Sequence, residues 1–192
     1  HRVNQLSFAK ARLFDMLIGD WGRHEDQWRW AEFKKDGQLT YEPVPRDRDN
    51  AFTKMDGRLV KLVLSLAHAK HMQDFKYDIK GVPEFNFTAR NLDHHLLNEV
   101  TFEEWQKVAE ELQANLTDDV IDAAVKAMPP EVYTYSGKSL TAKLKSRRDF
   151  LKLYAQDYYS FLAKEVEITG SENSEIFEIS SPDDNTTLVN IY

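Results

Sequence analysis

The chain has 192 residues, of which 42% are hydrophobic, and this is enough for one packed domain or a domain with an appendage. Its net charge of −7 argues against a general nucleic-acid binder, because phosphate backbones require a surplus of Lys and Arg. The sequence contains no cysteine, which excludes disulfides and thiolate sites, and no apolar run long enough to cross a membrane, so we expect neither a nucleic-acid partner nor direct membrane insertion of this segment.

The first part of the sequence predicts a helix followed by a β-hairpin. Residues 6–18 carry a partial apolar stripe at helical spacing, and Gly19 follows as a stop signal. Residues 28–33 and 39–44 are rich in aromatic and β-branched side chains, which is typical of strands. Asp36-Gly37 between them supplies the positive φ angles that a tight hairpin turn requires.

The middle of the sequence is mostly helical in our interpretation. Residues 59–70 are apolar and favour a helix, whereas residues 81–98 are typical of an ordered loop with one helical turn. Thr101 begins the next helix with a capping box, since a glutamate follows three residues later. Thr117 caps another helix over residues 118–128, which two consecutive prolines end.

The last part of the sequence predicts one long helix and a few short strands. We expect the helix over residues 139–165, because no Gly or Pro interrupts it. Its inner face is expected to consist of Leu140, Leu144, Leu151, Tyr154, Tyr158 and either Phe161 or Leu162. Residues 166–168, 175–179 and 187–192 are typical of strands.

Together these elements predict an α+β fold that is mostly helical. A helical body carries a β-hairpin at about residues 28–44, and a small β element lies at the C-terminus. We expect residues 1–165 to form the helical domain and residues 166–192 to form a small β appendage packed on the same domain. We also expect the chain to be a segment of a longer protein, because it begins with His1.

Polar and charged residues with metal- and phosphate-binding chemistry stand at both ends of the hairpin pattern, which can bring them together at its base. The carboxylate and amide oxygens that a hard divalent cation prefers belong to Asp20, Asp26, Gln27, Asp47 and Asp49. Guanidinium groups that can neutralise phosphate oxygens belong to Arg23, Arg46 and Arg48. His24 can orient a carbonyl or a carboxylate, or act as a base. The alternative is that these Arg–Asp pairs only pin the loops in place.

The order of these residues resembles the catalytic segment of the protein-kinase-like superfamily. The resemblance is closest to the atypical branch, which includes the phosphoinositide kinases and the HipA-like and CotH-like bacterial kinases. The pattern there is Asp-Arg-His-x-x-Asn, a short hairpin and then a metal-binding Asp. Arg23 and His24 match the Arg-His pair, Gln27 stands where Asn is expected, and Asp47 stands at the second Asp.

The resemblance implies roles for eight residues. In the family, the first Asp positions the acceptor hydroxyl, while the Asn and the second Asp hold the cations that bridge the nucleotide phosphates. An active member would therefore use Mg²⁺ or Mn²⁺ with ATP. Carried over to this sequence, the catalytic residues are Asp20, Arg23 and His24, the residues at the nucleotide phosphates are Arg46 and Arg48, and the metal ligands are Gln27, Asp47 and Asp49.

Three departures from the family pattern bear on activity. Gly22 replaces the first Asp, and glycine can neither accept a proton nor orient a hydroxyl. Asp20 is the nearest substitute, but it lies two residues earlier. Gln27 lengthens the expected Asn side chain by one methylene. The residues before Gly19 also contain no Gly-rich phosphate-covering loop, so the matching part is chiefly a C-terminal kinase lobe.

These departures favour a non-catalytic, degenerate kinase-like domain with a scaffold or interaction role. The alternatives are the C-terminal half of an active atypical kinase, and a metal-dependent hydrolase that uses the aspartates of residues 20–49. Several segments, among them Ser-Gly-Lys-Ser-Leu at residues 136–140, resemble uncharacterised parts of long bacterial cell-envelope proteins. That resemblance implies a periplasmic or outer-membrane-associated location, with an unknown protein or neighbouring domains of the parent chain as partners.

Overall fold

The structure is a computed structural model that describes residues 2–35, 37–165, 168, 173–184 and 186–192, and most of its secondary structure is helical. The helices are α1 (Gln5–Ile18), α2 (Arg58–Leu66), α3 (Val82–Phe85), α4 (Arg90–Leu97), α5 (Phe102–Asn115), α6 (Asp118–Lys126), α7 (Pro130–Asp149) and α8 (Leu151–Leu162). The strands are β1 (Arg2–Val3), β2 (Trp28–Lys35), β3 (Gln38–Pro45), β4 (Phe177–Asp183) and β5 (Thr186–Ile191). The predicted α+β, mostly helical fold is confirmed.

Helix α1 begins and ends as its sequence predicts. The Asn4 side chain caps its first turn by accepting a hydrogen bond from the Ser7 backbone N–H at 3.0 Å. Gly19 ends the helix in the left-handed conformation, with φ 77°, which glycine adopts without the penalty of a Cβ atom. The chain therefore turns sharply at Gly19, immediately before the residues that were predicted to carry chemistry.

The hairpin is confirmed and lies in a small three-stranded sheet with the order β1-β3-β2. Strands β2 and β3 pair antiparallel from Trp28↔Pro45 at the base to Lys35↔Gln38 near the turn. The predicted turn residue Asp36 lies outside the described residues, while Gly37 has the expected positive φ of 81°. The base of this hairpin is where the two predicted clusters of polar residues meet.

The core lies between α1 and the helices of the C-terminal half. Its largest fully buried hydrophobic side chains include Phe8, Leu13, Trp105 and Tyr158. Trp105 and Tyr158 meet edge to face, with ring centroids 6.0 Å apart, and join α5 to α8. The capping box at Thr101 that begins α5 is confirmed: the Glu104 backbone N–H donates to the threonine hydroxyl at 3.3 Å, and the Glu104 carboxylate accepts from the Thr101 backbone N–H at 2.9 Å.

The long helix expected over residues 139–165 is wrong in both its start and its continuity. The helix begins at Pro130, because proline fits the first turn, where its missing N–H has no intrahelical partner. It is then interrupted at Phe150, whose backbone N–H is shared between the carbonyls of Ser146 and Arg147 at 3.2 Å each. This tight turn separates α7 from α8. The predicted inner face is nevertheless buried, with Leu162 as its last core residue.

The segment 81–98 is also more helical than predicted, because α3 and α4 occupy much of it. The helix expected over residues 59–70 is confirmed as the shorter α2, and the one expected over residues 118–128 is confirmed as α6. Helix α4 buries Asp93 together with Leu97, so its inner face does not stand out as an apolar stripe in the sequence. The buried Asp93 therefore made this helix difficult to predict from the spacing of apolar residues.

The C-terminal β element is confirmed as the antiparallel hairpin of β4 and β5. The strand predicted at residues 166–168 lies mostly outside the described residues. No helix in the described part of the chain is both long and apolar enough to cross a membrane.

Candidate functional site

The base of the hairpin brings the two predicted clusters into contact. The Arg46 backbone N–H donates to the Gln27 carbonyl at 2.8 Å, which continues the β2–β3 pairing by one step. Arg23 spans both clusters, because its Nη1 atom lies 3.5 Å from the Gln27 Oε1 atom and 3.3 Å from the Asp47 carbonyl oxygen. The spatial adjacency expected from the sequence is therefore present.

The guanidinium of Arg23 is fully buried and hydrogen-bonded through all three of its nitrogens. Its Nε atom donates to Asp15 Oδ2 at 3.0 Å, and its Nη2 atom donates to Asp20 Oδ2 at 2.7 Å. Its Nη1 atom donates to the carbonyls of Arg46 and Asp47. Arg23 thus ties the end of α1 to the loop after the hairpin, and its donor groups are directed at protein atoms.

Asp15 is the centre of this arrangement, and the sequence analysis did not identify it. Its fully buried carboxylate accepts hydrogen bonds from Arg12 at 2.9 Å, from Arg23 at 3.0 Å and from Arg48 at 2.9 Å. Asp15 lies in α1 among core residues, at helical spacing from Arg12. Two charged residues three positions apart on the buried face of a predicted helix were the signal that could have identified it.

The arrangement continues from Arg12 into the helical body. Arg12 Nε contacts both carboxylate oxygens of Asp93, at 3.0 Å and 2.8 Å, and its Nη2 atom donates to Asn86 Oδ1 at 2.6 Å. The Tyr158 hydroxyl also donates to Asp93. Burial lowers the pKa of the Arg12 guanidinium, but the negative charges of Asp93 and Asp15 outweigh it, so the pKa lies above its ordinary value.

We call the six charged side chains joined in this way the α1 ion network: Arg12, Asp15, Asp20, Arg23, Arg48 and Asp93. Three are positive and three are negative, so the network is formally neutral. Such balance is required because an unpaired charge in a low-dielectric interior costs several kcal/mol. Each charge in the network is therefore paired with an opposite charge of the protein itself.

The carboxylate of Asp20 accepts fewer side-chain hydrogen bonds than the carboxylates of Asp15 and Asp93. It is fully buried, one oxygen accepts from Arg23, and the other oxygen, Oδ1, accepts no hydrogen bond from the described residues. Burial and then the negative charge of Asp15 raise the pKa of Asp20 to about 6, against the opposing effect of Arg23. A fully buried carboxylate of this kind has no open path to a substrate hydroxyl in this conformation.

The remaining predicted site residues lie at the surface. His24 is exposed, and its Nδ1 atom donates to the Gly22 carbonyl at 3.0 Å. Arg46 and Asp47 are exposed in the loop after β3, where Asp47 has a positive φ of 54°. The Asp49 carboxylate accepts a hydrogen bond from the Asn50 side-chain amide at 3.0 Å. These residues lie on the same loops as the buried ones but do not converge on a common point in the contacts described.

A carboxylate at position 22 has no room in this conformation. A Cβ atom built on Gly22 would lie 2.2 Å from the Asn50 Nδ2 atom and 2.9 Å from the Asn50 Cγ atom. The Asn50 side chain therefore fills the volume in which a longer side chain at position 22 would begin. Because Asn50 is a flexible side chain in an irregular loop, a substitution of Gly22 requires Asn50 to move.

The predicted metal ligands fit a divalent cation poorly. Gln27 is buried, and its amide oxygen faces the positive Arg23 guanidinium, which would repel a cation placed there. The Asp49 carboxylate accepts a hydrogen bond from Asn50, and both Asp47 and Asp49 are exposed. Among the residues that the structure describes, no three His, Asp or Glu side chains form a group that could hold a metal ion.

A cleft of about 780 Å³ lies elsewhere, beside α2. Its walls include apolar side chains such as Met55, Leu64 and Met72, and lysines such as Lys70 and Lys80. None of the eight predicted site residues lines it. The cleft and the α1 ion network are therefore separate features of the molecule.

Comparison of this chain with protein-family models, with curated proteins and with solved structures finds no match. The function must therefore be inferred from the contacts of the chain itself.

Proposed function

We propose that this chain is a non-catalytic, kinase-like domain of a bacterial envelope protein and that it serves as a scaffold or interaction module. In this proposal, residues 20–49 retain the order of a phosphotransfer segment, but their charged side chains hold the fold together. The kinase-like relationship and the periplasmic or outer-membrane-associated location rest on the sequence resemblances alone.

The observation that carries the proposal is the complete engagement of Arg23. A residue that neutralises a nucleotide phosphate needs donor groups free to reach it, and each nitrogen of Arg23 already donates to a carboxylate or a carbonyl. Redirecting the guanidinium would leave Asp20 buried without its arginine partner and would remove one of the three arginine partners of Asp15. That cost of several kcal/mol opposes any role of Arg23 in ligand binding.

The surroundings of Gly22 support the same conclusion. Glycine provides no carboxylate, and the adjacent space is filled by the Asn50 side chain. Asp20 does not replace the missing group, because it is fully buried and bonded to Arg23. Because neither position 20 nor position 22 presents a carboxylate that could accept a hydroxyl proton, we do not expect the chain to transfer phosphate.

One observation favours the alternative, the C-terminal half of an active atypical kinase. The hairpin base places the Gln27 side-chain oxygen and the Asp47 backbone carbonyl around one nitrogen of Arg23, so these two predicted metal-ligand residues are neighbours in the fold. Arg23 would have to move to free the Gln27 oxygen, at the cost of its hydrogen bonds to buried groups. The two functions differ in whether Mn²⁺ and ATP bind to the folded chain.

We would test the proposal by equilibrium unfolding in urea with and without Mn²⁺ and ATP. A ligand that binds only the native state stabilises it, by about 2.7 kcal/mol at a concentration 100 times its Kd. We expect the free energy of unfolding to be the same in both conditions. The Asp47→Ala variant is compared with Asp157→Ala, which removes another exposed carboxylate, on α8.

Stabilisation by Mn²⁺ and ATP in the wild-type chain and in Asp157→Ala, but not in Asp47→Ala, would overturn the proposal in favour of a retained nucleotide site. Stabilisation that persists in all three proteins would place binding outside the predicted metal ligands. In that case the cleft beside α2 would become the next place to examine.

A further inference from the structure

Helix α2 presents an apolar face to solvent. Leu59, Leu62, Val63 and Leu66 are between 55% and 73% exposed, and we call these four residues the α2 stripe. They are spaced at i, i+3, i+4 and i+7, so they lie along one side of the helix. Singly exposed apolar residues are ordinary on protein surfaces, but a contiguous helical stripe of this kind marks an interaction surface.

A helix as short as α2 depends on packing for its stability. Helices shorter than about 12 residues are marginal in water unless packing stabilises an amphipathic face. Helix α2 has 9 residues, and its side towards the protein is represented by Leu64, which lines the cleft. The α2 stripe itself contributes no packing energy until something covers it.

The charge of the chain segment that carries α2 indicates the kind of surface that would cover it. Residues 54–70 carry four basic residues and one acidic residue, whereas the whole chain has a net charge of −7. The one acidic residue, Asp56, is paired with Lys54 at 3.0 Å, which leaves Arg58 and Lys70 as the other basic side chains that the structure describes in this segment. The apolar stripe therefore lies within a positive segment of an otherwise acidic molecule.

We propose that α2 attaches this protein to the surface of a membrane that contains anionic phospholipids. The helix would lie in the plane of the interface, with the α2 stripe among the upper acyl chains and the basic residues of the segment at the lipid phosphates. A helix of this length extends about 14 Å, so it lies on the membrane and does not cross it. The inference does not depend on the proposed function, because it uses none of residues 20–49.

A second copy of the chain fits this surface less well than lipid does. Pairing of two α2 helices would bring the basic residues of both copies together, with repulsion between like charges. An anionic membrane instead offers opposite charge and apolar contact in the same place. The distinction is testable, because self-association needs no vesicles.

The test is flotation of the folded chain with vesicles of phosphatidylcholine alone and of phosphatidylcholine mixed with phosphatidylglycerol. We expect binding only to the mixed vesicles. The binding should fall when ionic strength is raised from about 0.1 M to about 1 M, because the Debye length shortens from about 10 Å to about 3 Å.

Two variants and two matched controls locate the contact. Leu62→Glu places a negative charge in the α2 stripe, and Arg58→Glu reverses a charge beside it; each should weaken partitioning by about tenfold or more. Leu153→Glu on α8 and Lys107→Glu on α5 make the same exchanges at exposed positions on other helices and should change partitioning by less than about threefold. Circular dichroism confirms that each variant is folded.

The proposal is overturned if the wild-type chain does not float with the mixed vesicles. It is equally overturned if Leu62→Glu and Leu153→Glu float alike, since the contact would then not be α2. A dimer that forms without vesicles and is lost in Leu62→Glu would also overturn it, because the α2 stripe would then be covered by a second copy.

Discussion

The strongest consequence of the α1 ion network is that Arg23 should be among the most costly residues of the chain to replace. The substitution Arg23→Met keeps much of the side-chain volume but removes the charge and every hydrogen bond of the guanidinium. Asp15 would retain two of its three arginine partners, whereas Asp20 would lose the arginine to which it is paired. The loop carbonyls of Arg46 and Asp47 would also lose their donor.

The magnitude follows from these contacts. Removing one partner of a buried ion pair costs about 3–5 kcal/mol, and a buried acceptor left unsatisfied adds about 1–3 kcal/mol. We therefore expect Arg23→Met to lower the free energy of unfolding by at least about 4 kcal/mol, a large share of the roughly 5–15 kcal/mol of an ordinary domain. Arg23→Lys keeps the charge but not the planar fork, so about half of that loss is expected.

Urea unfolding followed by circular dichroism measures both variants against Arg29→Met. Arg29 lies on β2 with an exposed side chain, so its replacement should change the free energy of unfolding by no more than about 0.5 kcal/mol. A loss below about 1 kcal/mol in Arg23→Met, or one equal to that in Arg29→Met, would refute the structural role assigned to the network.

Three further predictions concern other parts of the structure. The pKa of Asp20 is raised to about 6, so between about pH 4 and pH 6 the folded chain holds a proton there that the unfolded chain has released. The stability that this proton contributes is fully present below about pH 4 and is lost as pH rises through about 6. The free energy of unfolding of the wild type relative to Asp20→Asn should therefore increase as pH falls from about 7 to about 5, and urea titrations that give a constant difference would contradict this. Arg147→Met should lower the free energy of unfolding by about 2–4 kcal/mol in the same assay. The reason is that Arg147 Nε donates to the Leu17 carbonyl at 2.9 Å, and the side chain also donates to three further backbone carbonyls. A decrease below about 1 kcal/mol would mean that water takes the place of the guanidinium. Thr101→Ala should lower the free energy of unfolding by about 1 kcal/mol through loss of the capping box, and an unchanged urea midpoint would show that the cap contributes nothing.

The features that the sequence analysis predicted correctly are those encoded by neighbouring residues. The start of α5 follows from a threonine and a glutamate three residues apart, and the end of α1 follows from Gly19. The hairpin follows from alternating strand-forming residues around a turn containing Gly37. Because each signal lies within a few residues, no tertiary information is needed to interpret it.

The features that were missed depend on contacts between distant segments. Arg12 and Asp93 are 81 positions apart, yet they form the ion pair that extends the network into the helical body. A charged residue in a sequence is ordinarily assigned to the surface, so the burial of Asp93 had no local signal of its own, and that of Asp15 was signalled only by its helical spacing from Arg12. The interruption at Phe150 was missed for a similar reason, since no Gly or Pro marks it.

The candidate site includes one feature that the sequence predicted and one that it left open. The sequence predicted that the residues on either side of the hairpin would meet, and Arg23 does contact both Gln27 and Asp47. The analysis also left open whether the Arg–Asp pairs bind a ligand or pin the loops. The contacts of Arg23 favour pinning, because its partners Asp15 and Asp20 are buried protein groups.

The measurement that tests the central claim most directly is a calorimetric titration of the wild-type chain with Mn²⁺ and ATP, alone and together. If the α1 ion network serves only the architecture of the fold, no combination should give saturable heat. Saturable, Mn²⁺-dependent binding of ATP that is lost in Asp47→Ala, a variant that should still fold because Asp47 is exposed, would contradict the account.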